Sequence, residues 1–272
     1  MANRNAALFA AIDDGDVDAA RLALNNGADP GAVRDGGDGH HPDRATRSAL
    51  SLAAGAGHAG LVALLLEAGA EVDTCGASGA TPLHAACAHK GATACVGLLL
   101  AARADIEPAD YEGIIPLHVA CEFGSAEQVG ALLEAKADIC RADGFRDTAL
   151  HKAASSGEAA SVELLLAAGA PLEARNYKER TPLLHTCNFG KTAALVALVA
   201  AGADVGVVDR RGNSAIHLAC FWGRPTWIDH LLGAGASPYV VNSNGETAFD
   251  VAVRTGKSDC AAAISRFEGT CV

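Results

Sequence analysis

Apolar and polar positions along this chain recur with a period close to 33 residues. The strings Thr81-Pro82-Leu83-His84, Ile115-Pro116-Leu117-His118, Thr148-Ala149-Leu150-His151, Thr181-Pro182-Leu183-Leu184, Ser214-Ala215-Ile216-His217 and Thr247-Ala248-Phe249-Asp250 start 34, 33, 33, 33 and 33 residues apart. Ser48-Ala49-Leu50-Ser51 precedes the first by 33, and Ala6-Ala7-Leu8-Phe9 opens a copy further upstream. Eight units therefore cover nearly the whole chain, and a fixed period of this length marks a stacked repeat architecture.

Each unit predicts two helices and a connecting loop. The Thr or Ser caps the first helix, its hydroxyl accepting from a free backbone N–H. Proline at 82, 116 and 182 sits in the first turn, where no hydrogen bond is lost. Small pairs follow (Ala53-Ala54, Ala86-Cys87, Ala120-Cys121, Ala153-Ala154, Ala219-Cys220) and let neighbouring helices approach. A glycine then ends the short helix, as at Gly57, Gly124, Gly157, Gly190, Gly223 and Gly256. A leucine-rich stripe such as Val62–Leu66 or Val162–Leu166 predicts the second helix. A second glycine closes that helix at Gly27, Gly69, Gly169, Gly202 and Gly235. A strand-like loop follows, with Asp110, Asp143, Asn176, Asp209 or Asn242 ahead of the next cap.

Period, cap, both glycines and the leucine run recur together, and on these residues the chain resembles an ankyrin-repeat protein over roughly residues 5–268. The resemblance implies a mainly α repeat solenoid of about eight stacked units, each a β-turn or hairpin finger and two antiparallel helices. Stability then sums over repeats and their neighbour interfaces. The expected organisation is a single domain, 1–272. It comprises an N-terminal cap at 2–30, an inserted loop at 31–46, units at 47–76, 77–110, 111–143, 144–176, 177–209 and 210–242, and a C-terminal cap at 243–268. Four departures put local geometry in question. The insertion makes the first spacing nine residues too long, and one extra residue falls near Lys90-Gly91. Arg103 and Lys136 replace the second glycine, and in unit six Leu184 takes the histidine position with His185 beside it.

Half the chain is apolar but only 4% is aromatic, so the core is expected to be built from alanine, valine and leucine, with the few aromatics serving elsewhere. A net charge of −11 disfavours generic nucleic-acid binding, which needs a positive surface. The longest apolar run at Leu61–Leu66 stops at Glu67, so no membrane span is expected, and the first residues lack the basic start of a signal peptide. Nine cysteines with no CxxC pair and no glycosylation sequon fit a reducing intracellular compartment, taken as the cytoplasm, with nothing that separates it from the nucleus.

No phosphate loop, nucleophile elbow or zinc-protease motif is present, and no carboxylate pair is expected to meet in a cleft. The chain is read as non-enzymatic, with no cofactor and no metal. Cys87, Cys121, Cys187 and Cys220 share one repeat position, too far apart to share an ion with bonds of about 2.3 Å. They read as small buried thiols. His84, His118, His151 and His217 also repeat, and the resemblance implies structural hydrogen bonds between turns and fingers for them. Asp35, Asp38, His40, His41 and Asp43 of the insertion could bind a divalent ion or a partner, although DGGDG fits no known metal loop; a solvated insertion is the plainer reading. Thr270-Cys271-Val272 has the form of a PDZ ligand.

In ankyrin repeats the partner lies on the concave face, against finger tips and the exposed side of the first helix, at −4, −3, −1, +7 and +8 from the cap. Carried onto this chain, these positions hold Tyr111, Glu112, Ile114, Glu122 and Phe123 in unit four, and Phe145 in unit five. Unit six supplies Tyr177, Lys178, Arg180, Asn188 and Phe189, and unit seven Arg210, Arg211, Asn213, Phe221 and Trp222. Units two, three and eight offer small or polar residues, apart from Arg44, Arg47, His89 and Arg254. Seven of the twelve aromatics fall on this set, and aromatic and arginine side chains are the usual interface anchors. The partner-binding residues are accordingly Tyr111, Phe123, Phe145, Tyr177, Lys178, Arg180, Phe189, Arg210, Arg211, Phe221 and Trp222. The expected function is a monomeric scaffold or adaptor holding a protein or peptide segment with apolar and acidic or phosphorylated residues on units four to seven. The alternative is a regulatory inhibitor or substrate-recognition subunit of a kinase or ubiquitin-ligase complex. Thr81–Leu100 is similar to the units of SOCS-box ankyrin receptors, but the residues after Asp250 read as a capping repeat and not as a box.

Overall fold

The structure, a computed structural model, describes the backbone of residues 2–34 and 47–270 and the side chains of 4–34 and 47–267. The chain divides into two compact units, residues 1–138 and 139–272. Among its described residues the first unit holds eight α-helices: α1 (Ala2–Asp14), α2 (Val17–Asn25), α3 (Ala49–Gly55), α4 (Ala59–Glu67), α5 (Pro82–Cys87), α6 (Thr93–Ala101), α7 (Pro116–Phe123) and α8 (Ala126–Glu134). The second holds α9 (Ala149–Ser156), α10 (Ala159–Ala167), α11 (Pro182–Phe189), α12 (Thr192–Ala200), α13 (Ala215–Trp222), α14 (Pro225–Gly233), α15 (Ala248–Arg254) and α16 (Ser258–Thr270). None of the described helices is long and apolar enough to cross a membrane.

Within each unit the helices pair and stack in two rows. The odd-numbered helices α1, α3, α5 and α7 touch in sequence, as do the even-numbered α2, α4, α6 and α8. In the second unit α9, α11, α13 and α15 form one row and α10, α12, α14 and α16 the other. Within each unit the repeated Leu or Ile two residues after the cap lies in the core: Leu83 and Leu117 in the first, and Leu150, Leu183 and Ile216 in the second, are at most 1% exposed. Burying such a side chain contributes about 1.5–3 kcal/mol. The repeated cysteines, at most 1% exposed, complete the seam. Burial pushes the thiols of Cys187 and Cys220 up to about 12, which leaves them protonated and unreactive.

Each finger is shaped by the acid or amide that precedes it. The Oδ1 atoms of Asp110, Asp143, Asn176, Asp209 and Asn242 each accept two backbone N–H bonds from residues two and four further on. This local turn is the reason these residue types recur there. Adjacent fingers are tied by backbone bonds, from Tyr177 N to Phe145 O, Arg210 N to Lys178 O and Ser243 N to Arg211 O.

The histidines join the two levels. In His84, His151 and His217, Nδ1 accepts from the backbone N–H of the cap residue. Nε2 lies 3.0 Å from the carbonyl of Ile114, Arg180 and Glu246 respectively, one repeat on. The neutral tautomer with its proton on Nε2 satisfies both bonds.

The departures each have a local solution. A two-residue antiparallel ladder, with Val33 opposite Ser48 and Arg34 opposite Arg47, closes the base of the insertion. Residues 35–46, with the candidate ion ligands and Arg44, lie outside the described residues, as do the side chain of Thr270 and all of Cys271 and Val272. A 3-10 turn at Lys90–Ala92 absorbs the extra residue of unit three. Arg103 and Lys136 adopt φ of 64° and 72°, keeping the left-handed turn that glycine holds elsewhere. A side chain there costs roughly 1–2 kcal/mol. One expectation is corrected: Trp227 is a fully buried core anchor, with Nε1 donating to Thr192 Oγ1 at 2.9 Å. Phe9 is also buried.

Candidate interaction site

The seven aromatics picked out by the repeat register are all exposed. In the second unit Phe145, Tyr177, Phe189, Phe221 and Trp222 are 43–51% exposed; in the first, Tyr111 reaches 83% and Phe123 54%. Helices and fingers supply them at fixed positions. Phe189, Phe221 and Trp222 end the first helices α11 and α13, while Phe145 and Tyr177 sit on finger tips. In the second unit they pack on one another: Phe145 on Tyr177 at 5.8 Å and Phe221 edge-to-face on Trp222 at 5.0 Å between centroids. Phe189 stacks on His185 at 5.2 Å. Clustered large apolar groups left exposed in this way are candidate contact points for a partner.

The charges around them are not all equivalent. Arg180 is only 15% exposed, and its Nε and Nη2 donate to Asp209 Oδ2 at 3.3 and 3.1 Å. Glu246 is taken by Arg254 and two asparagine amides, which hold its carboxyl at about 2. Glu179 is shared by Arg146 and Arg175. Lys178, Arg210 and Arg211 are exposed and hold no ion pair among the described residues; Lys178 Nζ lies 5.0 Å from the Tyr177 ring centre. The local acids are therefore neutralised, and three cations are left over on a chain of net −11.

Two cavities open beside these residues. One, about 360 Å³, lies between the fingers of repeats six and seven and is lined by Lys178, Arg180, Asp209, Arg210 and Arg211. The other, about 480 Å³, is walled by Phe221 and Trp222 and rimmed by Arg211, Asn188, Asn213 and Asn244. Asn188 and Asn213 were among the register positions but were not picked out, because a lone amide carries little signal in sequence.

The first unit has a groove that the sequence reading passed over. It spans about 830 Å³, with a floor of Gly55, Ala56, Ala85 and Ala88 and Tyr111 on its wall. Small residues carry no signal as binding groups.

A buried polar cluster underlies repeats five and six. Asp143 and Asp147 lie there, at 2.9 and 3.9 Å from Lys152 Nζ. The lysine between them makes this an ion-paired structural core. Asn176 Nδ2 donates to Asp147 Oδ1 at 2.9 Å. His185, displaced by one position from the usual histidine site, lies 3.3 Å from Asn176 and edge-on to His151. Burial lowers its pKa to about 4, partly opposed by Asp147 and reinforced by His151, Arg180 and Lys152. Among the described residues no group of three His, Cys, Asp or Glu could hold a metal ion.

The family model for ankyrin repeats matches residues 8–110, 50–143, 94–176, 117–207 and 183–269 in overlapping registers. No curated protein matches the chain in sequence. Among solved structures the chain is similar to the ankyrin repeat domain of Bcl-3, described as a unique member of the IkappaB protein family. The two are 28% identical with a TM-score of 0.65, over 84% of this chain and 99% of that one. In all, 530 chains of solved structures match, so the likeness selects no single partner.

Proposed function

Because this chain belongs to the ankyrin-repeat family, a family of protein-interaction domains, we propose that it is a non-enzymatic adaptor whose partner segment docks on repeats five to seven. The anchors are Phe145, Tyr177, Phe189, Phe221 and Trp222, with Lys178, Arg210 and Arg211 reading acidic groups. The single observation that carries this reading is the coincidence of half-exposed aromatics with three cations whose neighbouring acids are already paired. Such a surface complements a segment that alternates apolar and acidic residues. Arg180 supports the surface through Asp209.

The test is affinity for a protein recovered by capture on the intact chain. Phe221→Ala/Trp222→Ala is expected to weaken binding by at least about tenfold, the effect of truncating central anchors. Arg210→Glu/Arg211→Glu is expected to slow association and remove most of its salt dependence. Affinity unchanged in both proteins overturns the assignment.

A further inference from the structure

We propose that the pocket beside Trp222 takes an aryl phosphate, the side chain of a phosphotyrosine in the partner segment. This rests on the docking surface of repeats five to seven and deepens it by naming the residue that anchors there.

The chemistry follows from which hydrogen-bonding groups are already used. Asp209 is saturated: Oδ1 accepts from Arg211 N and Asn213 N, and Oδ2 from Arg180. Glu246 is occupied by Arg254, Asn242 and Asn244. Asn213 Oδ1 accepts from Asn242 Nδ2, and Asn242 Oδ1 from two backbone N–H groups. His217 spends its Nε2 on the Glu246 carbonyl. What remains free around the cavity is the Arg211 guanidinium, the Asn213 amide N–H groups and the amide of Asn188, which can donate or accept. A lining whose carboxylates are already paired while a guanidinium and amide donors stay open fits an anion.

Size and charge choose among such groups. The cavity of about 480 Å³ is far larger than a carboxylate needs, and Phe221 and Trp222 form one wall. A ring against that wall buries apolar area that an aspartate or glutamate side chain leaves wet. Arg211 also lines the adjoining cleft, where Lys178 and Arg210 add two further unpaired cations. A phosphoryl group brings nearly two negative charges and three acceptor oxygens, and arginine binds it in a forked geometry.

The experiment titrates the intact chain with phenyl phosphate, benzoate and inorganic phosphate and follows tryptophan fluorescence. Trp222 is exposed and Trp227 fully buried, so Trp222→Phe identifies the responding indole. Phenyl phosphate is expected to bind about tenfold tighter than either partial mimic, and Arg211→Gln to weaken it about tenfold while leaving the melting temperature unchanged. A phosphotyrosine peptide pool is expected to bind, and the same pool unphosphorylated or carrying glutamate is not. Equal binding of benzoate, equal binding of the glutamate pool, or a response that survives Arg211→Gln overturns the proposal. A captured partner that is lost on Phe221→Ala/Trp222→Ala but indifferent to phosphatase treatment also overturns it, while leaving the docking surface in place.

Discussion

Arg180→Met separates support from recognition. The substitution keeps the aliphatic stem and removes the guanidinium that donates twice to Asp209 Oδ2, at 3.3 and 3.1 Å. Asp209 is 2% exposed at its side chain, so water cannot replace those donors. Its Oδ1 keeps the N–H groups of Arg211 and Asn213, which limits the damage to one carboxylate oxygen. Breaking a buried pair by removing one partner costs about 3–5 kcal/mol, and the 15% exposure of Arg180 places this pair at the lower end, about 3 kcal/mol. For a unit of this size the melting temperature falls by roughly 6–12 °C. The junction between repeats six and seven is where the loss is felt, because Leu184 stands at the histidine position and provides no link to the finger of repeat seven. Thermal melts followed by circular dichroism, with Asp209→Asn and the double variant alongside, measure the coupling directly. A melting temperature within 1–2 °C of the parent, or single-variant losses that add in the double, refutes the structural assignment and returns Arg180 to the set of free cations.

Three further outcomes follow from the same geometry. Trp227→Ala is expected to lose about 3–5 kcal/mol in denaturant melts, since it empties the largest fully buried side-chain site and strips Thr192 of its indole donor. Stability is expected to fall with acid. Burial lowers His84, His151, His185 and His217, so the folded state resists protonation that the unfolded chain accepts. Their contribution is complete above the unfolded value of about 6.5 and is lost as pH falls toward about 4 for His185, ahead of the carboxylates. Unfolding free energies from urea melts at pH 7.5 and 4.5 are expected to differ by roughly 2 kcal/mol more in the parent than in His185→Gln; parallel profiles refute it. Lys136→Gly removes a left-handed side chain, and after the added flexibility of the unfolded chain it is expected to raise stability by about 0.5–1 kcal/mol. A lower melting temperature would show that the lysine contributes more than its backbone costs.

The helix pairs, their caps and the buried cysteine seam were readable in sequence because each recurs at one register position, and repetition multiplies a weak local signal. The exposed aromatics were readable for the same reason: Phe189 and Trp222 occupy equivalent sites. What escaped was set by which side chains meet across space. Trp227 occurs once and lies on a second helix, so its low-frequency residue type pointed to a surface while its packing against Thr192 put it in the core. Arg180 shares its type with Arg210 and Arg211, and only the proximity of Asp209, 29 residues away, separates a tether from a free cation. Lys152 between Asp143 and Asp147 is likewise a tertiary coincidence.

The histidine linkage explains why the site can be both rigid and exposed. Where it is present, each repeat passes a hydrogen bond to the finger of the next: His151 to Arg180 O and His217 to Glu246 O. Its two exceptions in the second unit differ in kind. Asp250 occupies the position in the last described repeat, where no described finger follows, and caps its own helix through Thr247. Leu184 breaks the chain in mid-array, where the Arg180–Asp209 pair, the Trp227–Thr192 bond and the backbone bond from Arg210 N to Lys178 O remain. Side-chain bonds at the register position of Arg180–Asp209 also join Asp147 to Asn176 and Asn213 to Asn242. The same Asp209 that receives Arg180 also fixes the backbone N–H of Arg211 and Asn213, so the finger bearing the free donors is held by the tether beneath it. Loss of Arg180 should therefore weaken binding through disorder of that finger, with stability and affinity falling together, whereas loss of the Arg211 guanidinium should lower affinity alone. Parallel melts and titrations of Arg180→Met and Arg211→Gln distinguish the two, and equal loss of stability in both proteins would contradict this division of labour.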